Sequence, residues 1–199
     1  MLTKLKKKVQ LWIMTEAKMA HNIGLTPNHI SALGIFFAAI SGIIYWKWRL
    51  LQFSLITAPI LLLISGFCDA LDGVIARIYG EATTFGKFLD SMLDRYADAI
   101  ILCGIILGGL CDPFWGFIAL IGSLMVSYAR AKAEALGVEM EAVGIAERAE
   151  RLIILAAASF LSVVYLEALN LAVIVLGILT SLTVLQRVVH FIRASKPRK

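Results

Sequence analysis

Between positions 69 and 94 the chain carries four aspartates framed by small and basic residues. The stretch reads Asp69-Ala-Leu-Asp72-Gly73-Val-Ile-Ala76-Arg77, then eight residues, then Gly86-Lys-Phe-Leu-Asp90-Ser-Met-Leu-Asp94. On a helix, Asp69, Asp72 and Gly73 share one face through i, i+3 and i+4 spacing, and Gly86, Asp90 and Asp94 share another through i+4 steps. Carboxylates brought this close repel unless they are protonated or neutralised by cations. A donor set of oxygens without His or Cys selects hard divalent ions such as Mg²⁺ or Mn²⁺. Two such ions about 3.5–4 Å apart suit in-line displacement at phosphorus. The glycines fit that chemistry, because Gly73 and Gly86 would let a phosphate approach the backbone closely. Arg77 offers a bidentate partner for a phosphate.

The elements that must present these residues are membrane helices. The 199-residue chain is 60% hydrophobic and only 17% charged, with a mean hydropathy of +0.85. A soluble domain is roughly 45–50% apolar and about 25% charged, and a globule this small must leave much of its surface wet. A soluble globular enzyme, a disordered chain and a disulfide scaffold are therefore excluded. Cys68, Cys103 and Cys111 are odd in number and lack CxxC spacing, so neither disulfides nor a zinc site is indicated. A span needs about 20 apolar residues. Six segments qualify, approximately His29–Trp46, Phe53–Tyr79, Phe85–Leu110, Pro113–Ala133, Leu152–Leu166 and Ala168–Gln186. Their apolar runs are continuous, which excludes the alternation of membrane strands.

The predicted fold is an all-α integral membrane protein of one domain over 1–199. It comprises an interfacial helix over 1–25, a six-helix transmembrane bundle over 28–192 and a basic tail over 193–199. Leu2, Leu5, Val9, Trp12 and Ile13 recur at helical spacing between lysines, the pattern of an amphipathic helix lying on a membrane surface. Six spans put both termini on the same side as the 2–3 and 4–5 connections. That side holds all of the 19 Lys and Arg except Lys47 and Arg49. The bias places both termini and the aspartates at the cytoplasmic face of the cell membrane. It also assigns the net charge of +5 to topology, not to nucleic-acid binding.

The aspartate stretch matches every position of D-x2-D-G-x2-A-R-x8-G-x3-D-x3-D and so resembles the CDP-alcohol phosphotransferase family. The resemblance implies an enzyme of phospholipid biosynthesis that joins a CDP-linked lipid to an alcohol and releases CMP, using two divalent cations. It implies Asp69, Asp72 and Asp90 as the principal metal ligands, with Asp94 as general base and further ligand. Gly73, Arg77 and Gly86, helped by Asn28, would hold the CDP part. A homodimer is implied in the same way.

The signature does not name the acceptor. Ser127, Arg130 and Glu134 lie on one face by 3–4 spacing, as do Arg148 and Arg151, and these cations could form an anion site beside the metals. An acceptor carrying its own phosphate needs such a site, whereas serine or choline does not. Ser127-Tyr-Ala-Arg130-Ala-Lys132-Ala-Glu134 with Gly144-Ile-Ala-Glu147-Arg148-Ala-Glu150-Arg151 resembles the phosphatidylinositol phosphate and archaetidylinositol phosphate synthase branch. That resemblance implies inositol 1-phosphate as acceptor and CDP-diacylglycerol or CDP-archaeol as donor. Ser127, Arg130, Arg148 and Arg187 would then bind the acceptor phosphate, with Lys132 and Arg151 as alternates. The competing readings are glycerol 3-phosphate as acceptor in the same chemistry and, more remotely, a cation or proton transporter. Asp98 continues the Asp90 and Asp94 face one turn further. It is open to tuning Asp94, to contacting acceptor hydroxyls, or to pairing with Arg95 or a cation from another span.

Overall fold

The computed structural model describes residues 14–140 and 143–195. Among them are six long helices: α1 (Pro27–Trp46), α2 (Ser54–Ile78), α3 (Thr84–Leu107), α4 (Pro113–Ala135), α5 (Arg148–Leu161) and α6 (Glu167–Ala194). Positions 1–13 and 196–199 lie outside the described residues, and with them most of the expected interfacial helix and basic tail. Residues 14–22 are helical. Ala17 and Ala20 seat this stretch against Ile30 of α1 and Leu71 and Ile75 of α2.

Local chemistry sets several of the helix starts. Thr26 and His29 form a reciprocal capping box with Pro27 in the first turn of α1. Thr83 accepts the Gly86 N–H at 2.9 Å to open α3, and Asp112 accepts the Trp115 N–H ahead of Pro113 at the start of α4. Four helices, α1, α2, α4 and α6, are long and apolar enough to cross a membrane. The other two differ for distinct reasons. The first two thirds of α3 carry Lys87, Asp90, Asp94, Arg95 and Asp98. The expected fifth span, Leu152–Leu166, is instead a helix that starts earlier, at Arg148, and stops at Leu161 after 14 residues. That is about 21 Å of helix against a hydrocarbon core of roughly 30 Å. The last helix is longer than expected and runs on past Gln186 to Ala194.

Helix packing follows small residues, as it must where apolar burial alone cannot drive association. α1 packs closely on both α2 and α3, α4 on α6, and α2 on α5, while α2 and α3 scarcely touch. The sequence leads one to expect α2 and α3 as direct neighbours across their short connection. Instead α1 lies against both and leaves a cleft between their acidic ends. On α1, Gly34 faces Cys68 and Ser41 donates to the Ala58 carbonyl at 2.8 Å. Gly42 meets Gly104 of α3 backbone to backbone. A core of Leu62, Ile101, Ile105, Leu169 and Leu176 fills the bundle, and the Tyr45 hydroxyl meets Ser159 Oγ at 2.7 Å inside it. Large apolar side chains such as Phe36, Ile43, Phe117, Ile121, Ile153 and Leu185 face outward. A soluble surface of this character would aggregate, whereas a lipid-facing one requires it.

A Cβ at position 104 would collide with the Gly42 backbone, which cannot swing aside as a side chain can. Gly104→Val is therefore expected to destabilise the protein by about 1–3 kcal/mol or more. The check is the denaturation midpoint of the purified protein in detergent. Gly73→Ala, whose Cβ would meet nothing within 4 Å, is expected to leave that midpoint in place.

Candidate active site

The C-terminal end of α2 and the N-terminal end of α3 bring the aspartates to one end of the bundle. Each of Asp69, Asp72 and Asp90 offers a carboxylate oxygen, and these three atoms lie within 4.8 Å of one another. Asp72 is 4% exposed and accepts a hydrogen bond from Ser31 Oγ of α1. Asp94 stands one turn along α3 and meets the cluster through a shared cation. Arg148 Nη1, on the first residue of α5, is 2.6 Å from Asp69 Oδ2 and 2.7 Å from Asp94 Oδ1. The cleft lined by these four carboxylates contains one cationic side chain, Arg148. A surplus of negative charge on oxygen donors alone, converging from two helices, fits hard divalent cations.

Two cavities open from this cleft. The first, about 220 Å³, is bounded by Asn28, Gly73, Arg77 and Gly86 and has Asp72 and Asp90 in its wall. All four residues assigned to the CDP part of a substrate are thus brought together. Arg77 Nε donates to the Gly73 carbonyl at 2.9 Å, which turns the guanidinium back along its own helix. The two glycines act differently. Gly73 faces open space, whereas a Cβ on Gly86 would stand 3.0 Å from Thr83 Oγ1 and 3.5 Å from Asn28 Oδ1. Gly86 therefore preserves the helix cap as well as access.

The second cavity, about 420 Å³, is lined by Ser127, Arg130, Arg148 and Arg187, with Asp69 and Asp94 in its wall. The four residues expected to hold an acceptor phosphate are brought together, but not on equal terms. Arg148 is held by the acid centre. Arg130 is exposed and pairs with Glu134 one turn on, at 2.9 Å. Ser127 Oγ donates to the Ser123 carbonyl at 3.3 Å. Arg187 is 2% exposed, and its Nε and Nη1 donate to the carbonyls of Val143 and Val126. That leaves Nη2, 3.8 Å from Glu147 Oε1, as the part able to turn to a ligand. Of the alternates, Arg151 borders the cavity while Lys132 is exposed outside it.

Two contributors were not singled out from the sequence. Arg95 lines the second cavity, bonded to Ser91 and to the Ser127 carbonyl. Ser91, Asp94, Arg95 and Asp98 share a face at i, i+3, i+4 and i+7, so the spacing held the signal. Ser31, the partner of Asp72, follows Asn28 by one turn on the same face of α1. Asp98 takes up a cation from another helix, Arg151, at 2.6 Å.

The CDP-alcohol phosphatidyltransferase family profile matches residues 24–190. The archaetidylinositol phosphate synthase of Pyrococcus horikoshii is 41% identical over 188 residues, covering 94% of this chain and 95% of that protein. The enzyme of the same name from Methanothermobacter thermautotrophicus is 44% identical, covering 86% of each. Among solved structures, Mycobacterium tuberculosis phosphatidylinositol phosphate synthase with CDP-DAG bound superposes with a TM-score of 0.80 at 25% identity, covering 94% of this chain and 98% of that one. The same mycobacterial protein in complex with manganese and citrate gives 0.79 at 26% identity, covering 94% and 93%.

Asp90→Asn is expected to weaken Mn²⁺ binding by at least the roughly 10–100-fold that loss of even an outer partner of a ligand costs. Titration calorimetry on the detergent-solubilised protein reads this directly. Unchanged affinity would put the cations elsewhere.

Proposed function

This chain belongs to the CDP-alcohol phosphatidyltransferase family, and we propose that it transfers the phosphatidyl-type group of a CDP-linked lipid to inositol 1-phosphate, releasing CMP. One observation carries the reading. The cleft that fits cations opens on one side to the cavity of Gly73 and Arg77 and on the other to an arginine-lined cavity, with acid-centre carboxylates in the wall of each. The names of the relatives from Pyrococcus and Methanothermobacter support an inositol phosphate acceptor. CDP-diacylglycerol and CDP-archaeol both satisfy this chemistry, because the reacting phosphorus is the same in each.

In this reading Asp69, Asp72 and Asp90 hold the cations, with Asp94 beside them. Such ions, when bound, offset the charge of the diphosphate and polarise its P–O bonds. Asn28, Gly73, Arg77 and Gly86 seat the CDP part. Arg148, Arg130, Ser127 and the free edge of Arg187 hold the acceptor phosphate, which leaves an acceptor hydroxyl facing Asp94. Asp94 takes the hydroxyl proton as the oxygen bonds to the lipid-side phosphorus. The bond from that phosphorus to the bridging oxygen breaks, and its electron pair leaves with CMP. Both Asp94 and Arg148 border the cleft and the second cavity, so proton acceptor and phosphate anchor stand together.

The membrane arrangement belongs to the same proposal. All six helices cross, α3 with its charges turned to the cleft and α5 as a short crossing, and the site and both termini face the cytoplasm. All but Lys47 and Arg49 of the 19 basic residues then lie on the inner side. The chain forms a single domain whose spans and catalytic site are one unit, lipid reaching it from the side and the acceptor from water. It works as a homodimer in contact with bilayer lipids.

The test is CMP release by the purified protein with each CDP-lipid and a panel of acceptors. Release is expected with inositol 1-phosphate and not with serine. Release with glycerol 3-phosphate alone would overturn the acceptor assignment. Asp94→Asn is expected to lower kcat by about 10²–10⁴-fold while the KM for CDP-lipid stays near that of the parent, and wild-type turnover in this variant would remove the proposed base.

A further inference from the structure

Asp98 and Arg151 are buried charged groups, 8% and 3% exposed, that the reaction does not use directly. Arg151 Nη2 lies 2.6 Å from Asp98 Oδ2, and its Nη1 donates to the Ala146 carbonyl at 3.0 Å. The other oxygen of Asp98 faces Arg148 Nε at 3.5 Å. On the far side, Thr183 Oγ1 of α6 accepts the N–H groups of Ile145 and Ala146 at 3.3 and 3.1 Å. The Ala146 residue is thus gripped at its N–H by Thr183 and at its carbonyl by Arg151, two positions before Arg148 begins α5. We propose that the Asp98–Arg151 pair is a positioning device that sets the Arg148 guanidinium at the boundary between the acid centre and the arginine-lined cavity. It thereby determines how tightly the acceptor phosphate is held. The proposal rests on the preceding reading that this cavity takes that phosphate.

The argument is one of balance. Asp69 and Asp94 draw Arg148 Nη1 towards the cleft, while Asp98 holds its Nε edge from the other side. With Asp98 removed, the guanidinium has carboxylates on one side only and is drawn into the acid centre, out of line with the cavity. With Arg151 removed, Asp98 is left as a buried charge with only the longer contact to Arg148, and the Ala146 carbonyl loses its donor. Arg151 borders the cavity itself, but both its terminal nitrogens are already taken up, so it acts through Arg148. A buried ion pair is a poor source of fold stability, and an apolar pair of similar volume often replaces one without loss. That separates positioning from a merely structural role.

The experiment compares four full-length proteins in detergent: wild type, Arg148→Ala, the double variant Asp98→Leu/Arg151→Met, and the combination of all three changes. Thermal midpoint, kcat and the KM for each substrate are measured. Arg148→Ala is expected to raise the KM for inositol 1-phosphate about tenfold or more, the scale of one lost charge-assisted contact. The double variant is expected to keep its thermal midpoint, raise the same KM by about tenfold and leave the KM for CDP-lipid unchanged. In the Arg148→Ala background the double change is expected to add nothing, because both act through one guanidinium. A stable double variant with unchanged acceptor KM overturns the proposal, as does an additive effect in the triple variant or an equal rise in both KM values. Should the double variant fail to fold, the near-isosteric Asp98→Asn carries the same KM expectations and refutations, with a lowered thermal midpoint expected because Arg151 is left as an unpaired buried charge. If Arg148→Ala itself leaves the acceptor KM unchanged, the cavity assignment fails, and the positioning role falls with it.

Discussion

Like charges gathered in an apolar surround govern the rest of this molecule. Asp69, Asp72 and Asp90 converge to within 4.8 Å across two helices, and Asp94 adds a fourth carboxylate through Arg148. Such a cluster is costly in a membrane protein and stands only where cations, hydrogen bonds and geometry offset the repulsion. Ser31 and Arg148 meet part of that need from within the chain. The remaining surplus of negative charge gives the site its affinity for hard divalent ions, and through them for a diphosphate.

The surrounding helices are arranged to keep the cluster open. If α2 and α3 packed directly along their length, side chains would fill the space a substrate needs. α1 prevents this by taking both as its own partners through small residues, with Gly34 against α2 and Gly42 against Gly104 of α3. The resulting cleft has a different chemistry at each exit: glycines and Arg77 towards one cavity, arginines towards the other. In the proposed reaction directionality follows, since a nucleotide-linked lipid and a phosphorylated alcohol would approach the same reacting atoms from opposite walls.

Much of this was legible in the sequence, for a physical reason. Helical spacing fixes which residues share a face, so the Asp69 and Asp72 pair and the Asp90 and Asp94 pair could be placed before any coordinates. Continuous apolar runs indicate six long helices and place the limits of the first four to within a few residues. What stayed hidden depended on contacts between distant segments. Nothing local distinguishes Arg148, which sits among Asp69, Asp94 and Asp98, from Arg187, which is committed mainly to backbone carbonyls. The resemblance assigns both to the acceptor phosphate, and no local signal shows that one faces carboxylates and the other carbonyls. The short α5 was obscured in the same way. The apolar run continues through Val163 and Val164, but the helix has already ended at Leu161, and buried Ser162 accepts the Leu169 N–H at the turn into α6.

The hydrogen bonds from Ile145 and Ala146 to Thr183 fix how far the chain sinks before α5 begins. Thr183 lies eleven residues short of the end of α6 at Ala194, about 16 Å along the helix axis. The connection from α4 therefore descends into the bundle instead of crossing over its rim, carrying buried Met140 and Ala146 with it. Glu147 and Arg148, which follow directly, stand in the wall of the arginine-lined cavity together with Arg187 of α6. In the proposed reaction a hydrophilic acceptor would travel along that wall to the diphosphate, and the lipid would stay in its bilayer to react.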